Sequence, residues 1–140
     1  MHNGIISSIY FNEMNFMNTL TGTPVENGSY LYIEDLFYYD GPLLSLFKNE
    51  ADELHLVLWC DNDETVNRWM RFKLSEDNYK AYLKSEISLK DIILKQEHVT
   101  FYEIFAKCEQ HLFEERNFIQ VDVKNIPEDY LPTDQSFYKE

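Results

Sequence analysis

Between residues 30 and 74 the chain carries four runs of aromatic and aliphatic residues, YLYIEDLFYY, PLLSLFK, LHLVLWC and TVNRWMRFKL, with only short polar breaks between them. Parallel neighbours need a crossover of a dozen or more residues, so breaks this short join antiparallel strands. Asp40-Gly41 after the first run is a hairpin signal, because both central positions of a type I′ turn need positive φ. Pro42 lacks an N–H and suits a strand start or an edge. Strands are expected near 30–39 and 42–48. In the third run Leu54, Leu56, Leu58 and Cys60 share one face, and His55, Val57 and Trp59 the other. Both faces are mostly apolar, which predicts a central, covered strand. In the fourth, Val66, Arg68, Met70 and Phe72 alternate with Asn67, Trp69, Arg71 and Lys73.

The texture changes at Ser75-Glu76-Asp77, where a capping serine and acids mark a helix start. Tyr79, Tyr82, Leu83 and Ile87 then lie on one helical face. Ser88 opens a second short helix with Leu89, Ile92 and Ile93 inward. VTFYEIFAKC (99–108) and FIQVDVKN (118–125) read as strands, the latter with Ile119, Val121 and Val123 on one face; the link between them is ambiguous. Residues 21–29 read as loop by their Gly, Pro, Asn and Ser content. Ile6, Tyr10, Met14 and Met17 allow a short amphipathic helix before it. The expected fold is α+β: a mainly antiparallel, hairpin-rich sheet of about six strands, with one or two short helices packed on one face. The expected organisation is an N-terminal segment 1–29, one domain over 30–133 and a tail 134–140, with IPEDYLPTDQSFYKE packing as an extended strap across the end of the domain and the tail.

A chain of 140 residues buries enough surface for one core without staples. The formal charge of −13, from 25 acids against 12 bases, repels phosphate backbones and anionic membranes. No direct nucleic-acid binding and no membrane association are expected. No apolar run approaches the length of a membrane span, and the N-terminus lacks the basic head of a signal peptide, so a cytoplasmic location is expected. Cys60 and Cys108 sit in no C-x-x-C pattern and read as reduced thiols.

The sharpest catalytic pattern is Asp61-Asn62-Asp63-Glu64-Thr65, a D-x-D-x-T match to haloacid-dehalogenase-like phosphatases. That chemistry needs the motif at the end of a parallel strand leading toward a helix, with a Lys and a bound cation nearby. Here the next segment reads as a returning strand, so an acidic hairpin loop is the better reading. An EF-hand fails as well, because Val66 stands where the loop's glycine is required. His2, His55, His98 and His111 show no ligand spacing, and four glycines form no phosphate-cradling loop. No catalytic residue, metal site or cofactor is expected. Arg68 and Arg71 flank Trp69 and Met70, which reads either as an interface hot spot or as a solvated sheet edge. Tyr30, Tyr32, Tyr38 and Tyr39 are expected to pack their rings across strands as core.

The segments YYDGPLLSLFKN, LHLVLWCDND, RWMRFKLSEDNYKAYLKSEISLKDIIL and IPEDYLP, within about residues 30–133, resemble a bacterial domain family of unknown function. The resemblance implies a compact stand-alone domain of bacterial or phage origin and carries no catalytic residues across. The first functional expectation is a non-enzymatic acidic module that binds a protein of basic charge, such as a toxin, effector or defence component. Asp61, Asp63, Glu64, Arg68, Trp69 and Arg71 are its candidate partner-binding residues. Two alternatives stand beside it: a DNA-mimic inhibitor whose carboxylates replace phosphates, and a small metal-dependent hydrolase using Asp61 and Asp63. An exposed hairpin edge could also pair two copies into a homodimer.

Overall fold

In a computed structural model, residues 20–38, 42–62, 65–105 and 115–132 are described. The expected N-terminal helix, the Asp40-Gly41 turn, Asp63, Glu64, His2, Tyr39, Cys108, His111 and the tail 134–140 lie outside them. The strands are β1 (Gly22–Pro24), β2 (Tyr30–Tyr38), β3 (Pro42–Asn49), β4 (Leu54–Asn62), β5 (Val66–Leu74), β6 (His98–Phe105) and β7 (Glu115–Asp122). Two helices, α1 (Glu76–Leu83) and α2 (Leu89–Leu94), separate β5 from β6. All pairings are antiparallel, and the seven strands form one sheet in the order β1-β7-β6-β5-β4-β3-β2. The α+β class is as expected; the seventh strand, β1, comes from a segment read as loop.

One face of the sheet carries the main core. Leu44, Leu46, Leu56, Leu58, Met70, Phe72, Leu74, Val99, Phe101, Ile119 and Val121 project from successive strands onto Tyr82 of α1 and Leu89, Ile92 and Ile93 of α2. Both helices start as the sequence indicates. Ser75 Oγ accepts from Asn78 N at 3.1 Å, and Ser88 Oγ accepts from Asp91 N at 3.1 Å. α1 ends with Ser85 at φ 61°. Glu86 N donates to Ala81 O and Ser85 N to Tyr82 O, the paired bonds that close a helix on a left-handed residue. After β7 the chain crosses the same face through short 3₁₀ turns at Val123–Asn125 and Glu128–Tyr130. Ile126, Tyr130 and Leu131 pack on the core there, so the expected strap is present, though coiled in part.

Bulges decide what the simple alternation misses. Trp59 pairs with Trp69 and Asp61 with Arg68, leaving Cys60 as an extra residue in β4. The bulge turns Asp61 to the helix side, where strict alternation would place it beside Trp59. In β7, Asn117 and Phe118 together face Tyr102, with Asn117 at φ 58°. In β2, Ile33 and Leu36 are extra residues against β3.

Residues 25–29 run across the second face, from the β1 edge to the β2 edge. Six residue steps from Pro24 to Tyr30 reach at most roughly 21 Å. Six flat strand spacings would need about 29 Å. The sheet must therefore curl toward this strap, and its second face is concave. Val57, Tyr102 and Phe118 are buried there, with Val25, Phe47, Trp69 and Ile104 around them.

β1 depends on Gly22. A Cβ at this position would stand 2.4 Å from Gln120 O and 2.7 Å from Ile119 Cγ2. Backbone cannot yield as a flexible side chain does, so Gly22→Ala is expected to displace β1 and cost about 1–3 kcal/mol. Urea unfolding measures the loss, and hydrogen exchange at Val25 N, which donates to Phe118 O, reports whether the strap loosens.

Candidate functional site

The residues singled out from the sequence fall into two separate arrangements. β5 is the central strand of the sheet, so Arg68, Trp69 and Arg71 are not on a solvated sheet edge. Strand alternation sends Arg68 to the helix side and Trp69 and Arg71 to the concave side.

On the helix side the apolar core gives way to an ionic cluster. Arg68 Nε donates to Glu103 Oε2 at 3.2 Å and Nη1 to Asp61 Oδ1 at 3.3 Å. Glu103 is 1% exposed, and its other oxygen accepts from Asn117 Nδ2 at 2.7 Å. Tyr130 Oη donates to Asp61 Oδ2 at 3.1 Å, fastening the C-terminal crossing to the sheet. Burial and the Asp61 carboxylate push the Tyr130 phenol up, which keeps it a donor. Asp61 is thus engaged structurally. Among the described residues no group of three or more His, Cys, Asp or Glu side chains could hold a metal ion. Cys60 is a free thiol whose pKa is raised by burial and by Asp61, which suits a packing residue better than a nucleophile.

On the concave side Arg71 is 6% exposed. Its guanidinium lies 3.9 Å from the Tyr30 ring centroid, and the Tyr102 and Phe118 rings are 5.5 and 5.7 Å away. Arg71 Nη1 donates to Asn27 Oδ1 at 3.2 Å, and Asn27 Nδ2 donates to Glu115 Oε1 at 2.9 Å, so the strap is tied to both β5 and β7. A groove of about 570 Å³ opens beside Arg71, lined by Tyr30, His55, Lys73, Thr100 and Gln120 among others.

His55 is a half-buried hydrogen-bonded residue. Asn49 Oδ1 accepts from the N–H groups of Ala51 and Glu53, so its Nδ2 is the donor facing His55 Nε2 at 3.3 Å. Nε2 then accepts, and the imidazole is neutral with its proton on Nδ1. That Nδ1 is buried and has no hydrogen-bond partner among the described residues. Burial first, then the Arg71 charge, lowers the His55 pKa from 6.5 to about 4. A depressed histidine pKa favours the fold above the unfolded value. Stability should therefore fall as pH drops from 6.5 toward about 4. His55→Gln should flatten that limb in urea titrations at a series of pH values.

An exposed hairpin edge is expected as a pairing surface, but its side chains are not among the candidate binding residues. No strand among the described residues pairs with the outer side of β2. Leu31, Tyr32 and Ile33 are 70%, 52% and 40% exposed. Tyr32 packs its ring across the strands edge-on against Phe47 at 5.6 Å, as expected, and Tyr30 covers Arg71, but neither belongs to the buried core. Three consecutive exposed apolar side chains on an edge strand had a signal in the sequence, LYI followed by the acids Glu34 and Asp35.

No helix among the described residues is long and apolar enough to cross a membrane. No curated protein and no solved structure matches the chain. A family model does match, over residues 30–138, and the chain therefore belongs to that family, described as a family of unknown function (DUF6575).

Proposed function

We propose that the protein is a non-enzymatic binding module that captures a basic protein on the free edge of β2. The observation that carries this reading is the exposed apolar run Leu31-Tyr32-Ile33 on an unpaired edge strand. Natural sheets usually blunt such edges with charge, proline or a covering element, and a long exposed apolar edge invites another chain. The bulges at Ile33 and Leu36 confine regular pairing to the start of the strand, so recognition rests on these side chains as much as on backbone bonds. Glu34 and Asp35 follow the apolar run, and Glu50, Asp52 and Glu53 lie in the loop beyond Asn49, the residue facing Tyr30. An apolar strip between acidic flanks, on a chain of net charge −13, complements a basic partner. A cytoplasmic setting suits this role.

The test is a pull-down from the source cell at low and high salt, with the parent chain and with Leu31→Lys/Ile33→Lys. One stoichiometric basic protein, weakened by salt and lost with the double variant, is the expected result. Retention of that protein by the variant, or no stoichiometric partner at either salt, would overturn the reading. Sedimentation of the purified chain as a dimer that the double variant breaks would replace the foreign partner with a second copy.

A further inference from the structure

We infer that the groove beside Arg71 on the concave face is a binding site for a small monocarboxylate with an apolar or aromatic body. This inference is independent of the β2 edge. A guanidinium has five N–H donors in a planar fork suited to bidentate contact with an oxyanion. Arg71 has a described hydrogen bond only to Asn27 Oδ1, and no carboxylate among the described residues lies within ion-pair distance of it. The Glu115 carboxylate reaches it only through the Asn27 amide. Arg68, three residues earlier on the same strand, is by contrast held by two carboxylates.

A buried charge without a counterion is unfavourable. Stacking on Tyr30 offsets part of that cost and also fixes the plane of the fork. The residue is thus held rigid with donors in hand at the wall of a groove large enough for a small organic molecule. The same wall carries Val25 and Tyr30, an apolar and aromatic surface for the body of such a ligand, and Thr100 and Gln120 as further hydrogen-bonding groups. Charge selects the anion. Glu26 and Glu97 line the same groove, and Lys73 Nζ is taken by Glu53 Oε2 at 2.6 Å, so a single negative charge is tolerated better than a phosphate dianion.

The experiment is an NMR titration of the full chain with benzoate and, separately, with inorganic phosphate, following the Arg71 Nε–H and the His55 ring. Benzoate should shift both signals saturably, with a Kd of roughly millimolar order for so small a ligand, and phosphate should bind more weakly. Arg71→Lys should weaken benzoate about tenfold or more by removing the fork. Thr100 faces Arg71 across the β5–β6 ladder. Thr100→Glu should supply the missing counterion, abolish the titration and raise the melting temperature. Absence of saturable shifts at Arg71 and His55, or titration of Thr100→Glu like the parent, would overturn the site. Tighter binding of phosphate than of benzoate would overturn the ligand class. Because Thr100→Glu is expected to gain stability, the test stands even if Arg71→Lys does not fold.

Discussion

Replacing Arg68 with Met is expected to destabilise the fold by about 3–5 kcal/mol, the largest loss from any single change considered. The cost comes from what is left behind. Glu103 is buried to 1% exposure in the interior of the sheet, and without the guanidinium its charge keeps the Asn117 amide as the described neutral donor. Asp61 loses the same cation, and with it part of the anchor for Tyr130. A double variant, Arg68→Met/Glu103→Leu, removes the buried Glu103 carboxylate together with the guanidinium. Apolar replacement of a whole buried pair is often close to neutral, so the double variant should be more stable than Arg68→Met alone. Urea unfolding of both variants makes the comparison. A double variant no more stable than the single would mean that the guanidinium acts through packing rather than through its charge.

Ile92→Ala should cost about 2–5 kcal/mol. α2 has six residues, far fewer than an isolated helix needs to persist, so tertiary packing holds it. Leu89, Ile92 and Ile93 are all fully buried against the sheet, and Ile92 also supplies a carbonyl to Gln96 Nε2, which simultaneously donates to Lys73 O of β5. Shrinking Ile92 opens a cavity where helix, sheet and this clamp meet. Leu94 on the same helix is 48% exposed, and Leu94→Ala should change stability by no more than about 0.5 kcal/mol. Denaturant titration of the two variants separates burial from helix propensity, because both changes leave an alanine in the same helix.

Periodicity made most of the architecture legible. The alternation in residues 54–60 and 66–74 put the right side chains on the core face, and the serines at 75 and 88 marked both helix starts. What escaped was set by contacts far apart in the chain. Gly22–Pro24 has no strand-like pattern and becomes a strand because glycine lets its backbone approach Gln120. Glu115–Asn117 look polar and loop-like, yet they continue β7 because Asn117 takes the left-handed turn of a bulge and bonds Glu103. The Cys60 bulge reverses the facing of Asp61, so a residue read as part of an acidic loop becomes the partner of an interior arginine. Arg68 and Arg71 look equivalent in sequence; only the fold shows that one has its carboxylates and the other lies on aromatic rings.

The most direct measurement of the β2 edge is site-specific photocrosslinking, with a photoreactive amino acid at position 31 and, as a control, at position 94, another exposed leucine but on the helix layer. At low salt in lysate of the source cell, the probe at 31 should capture one basic protein in high yield and the probe at 94 should not. Equal capture from both positions, or no discrete product from position 31, would contradict the assignment of the β2 edge as the binding surface.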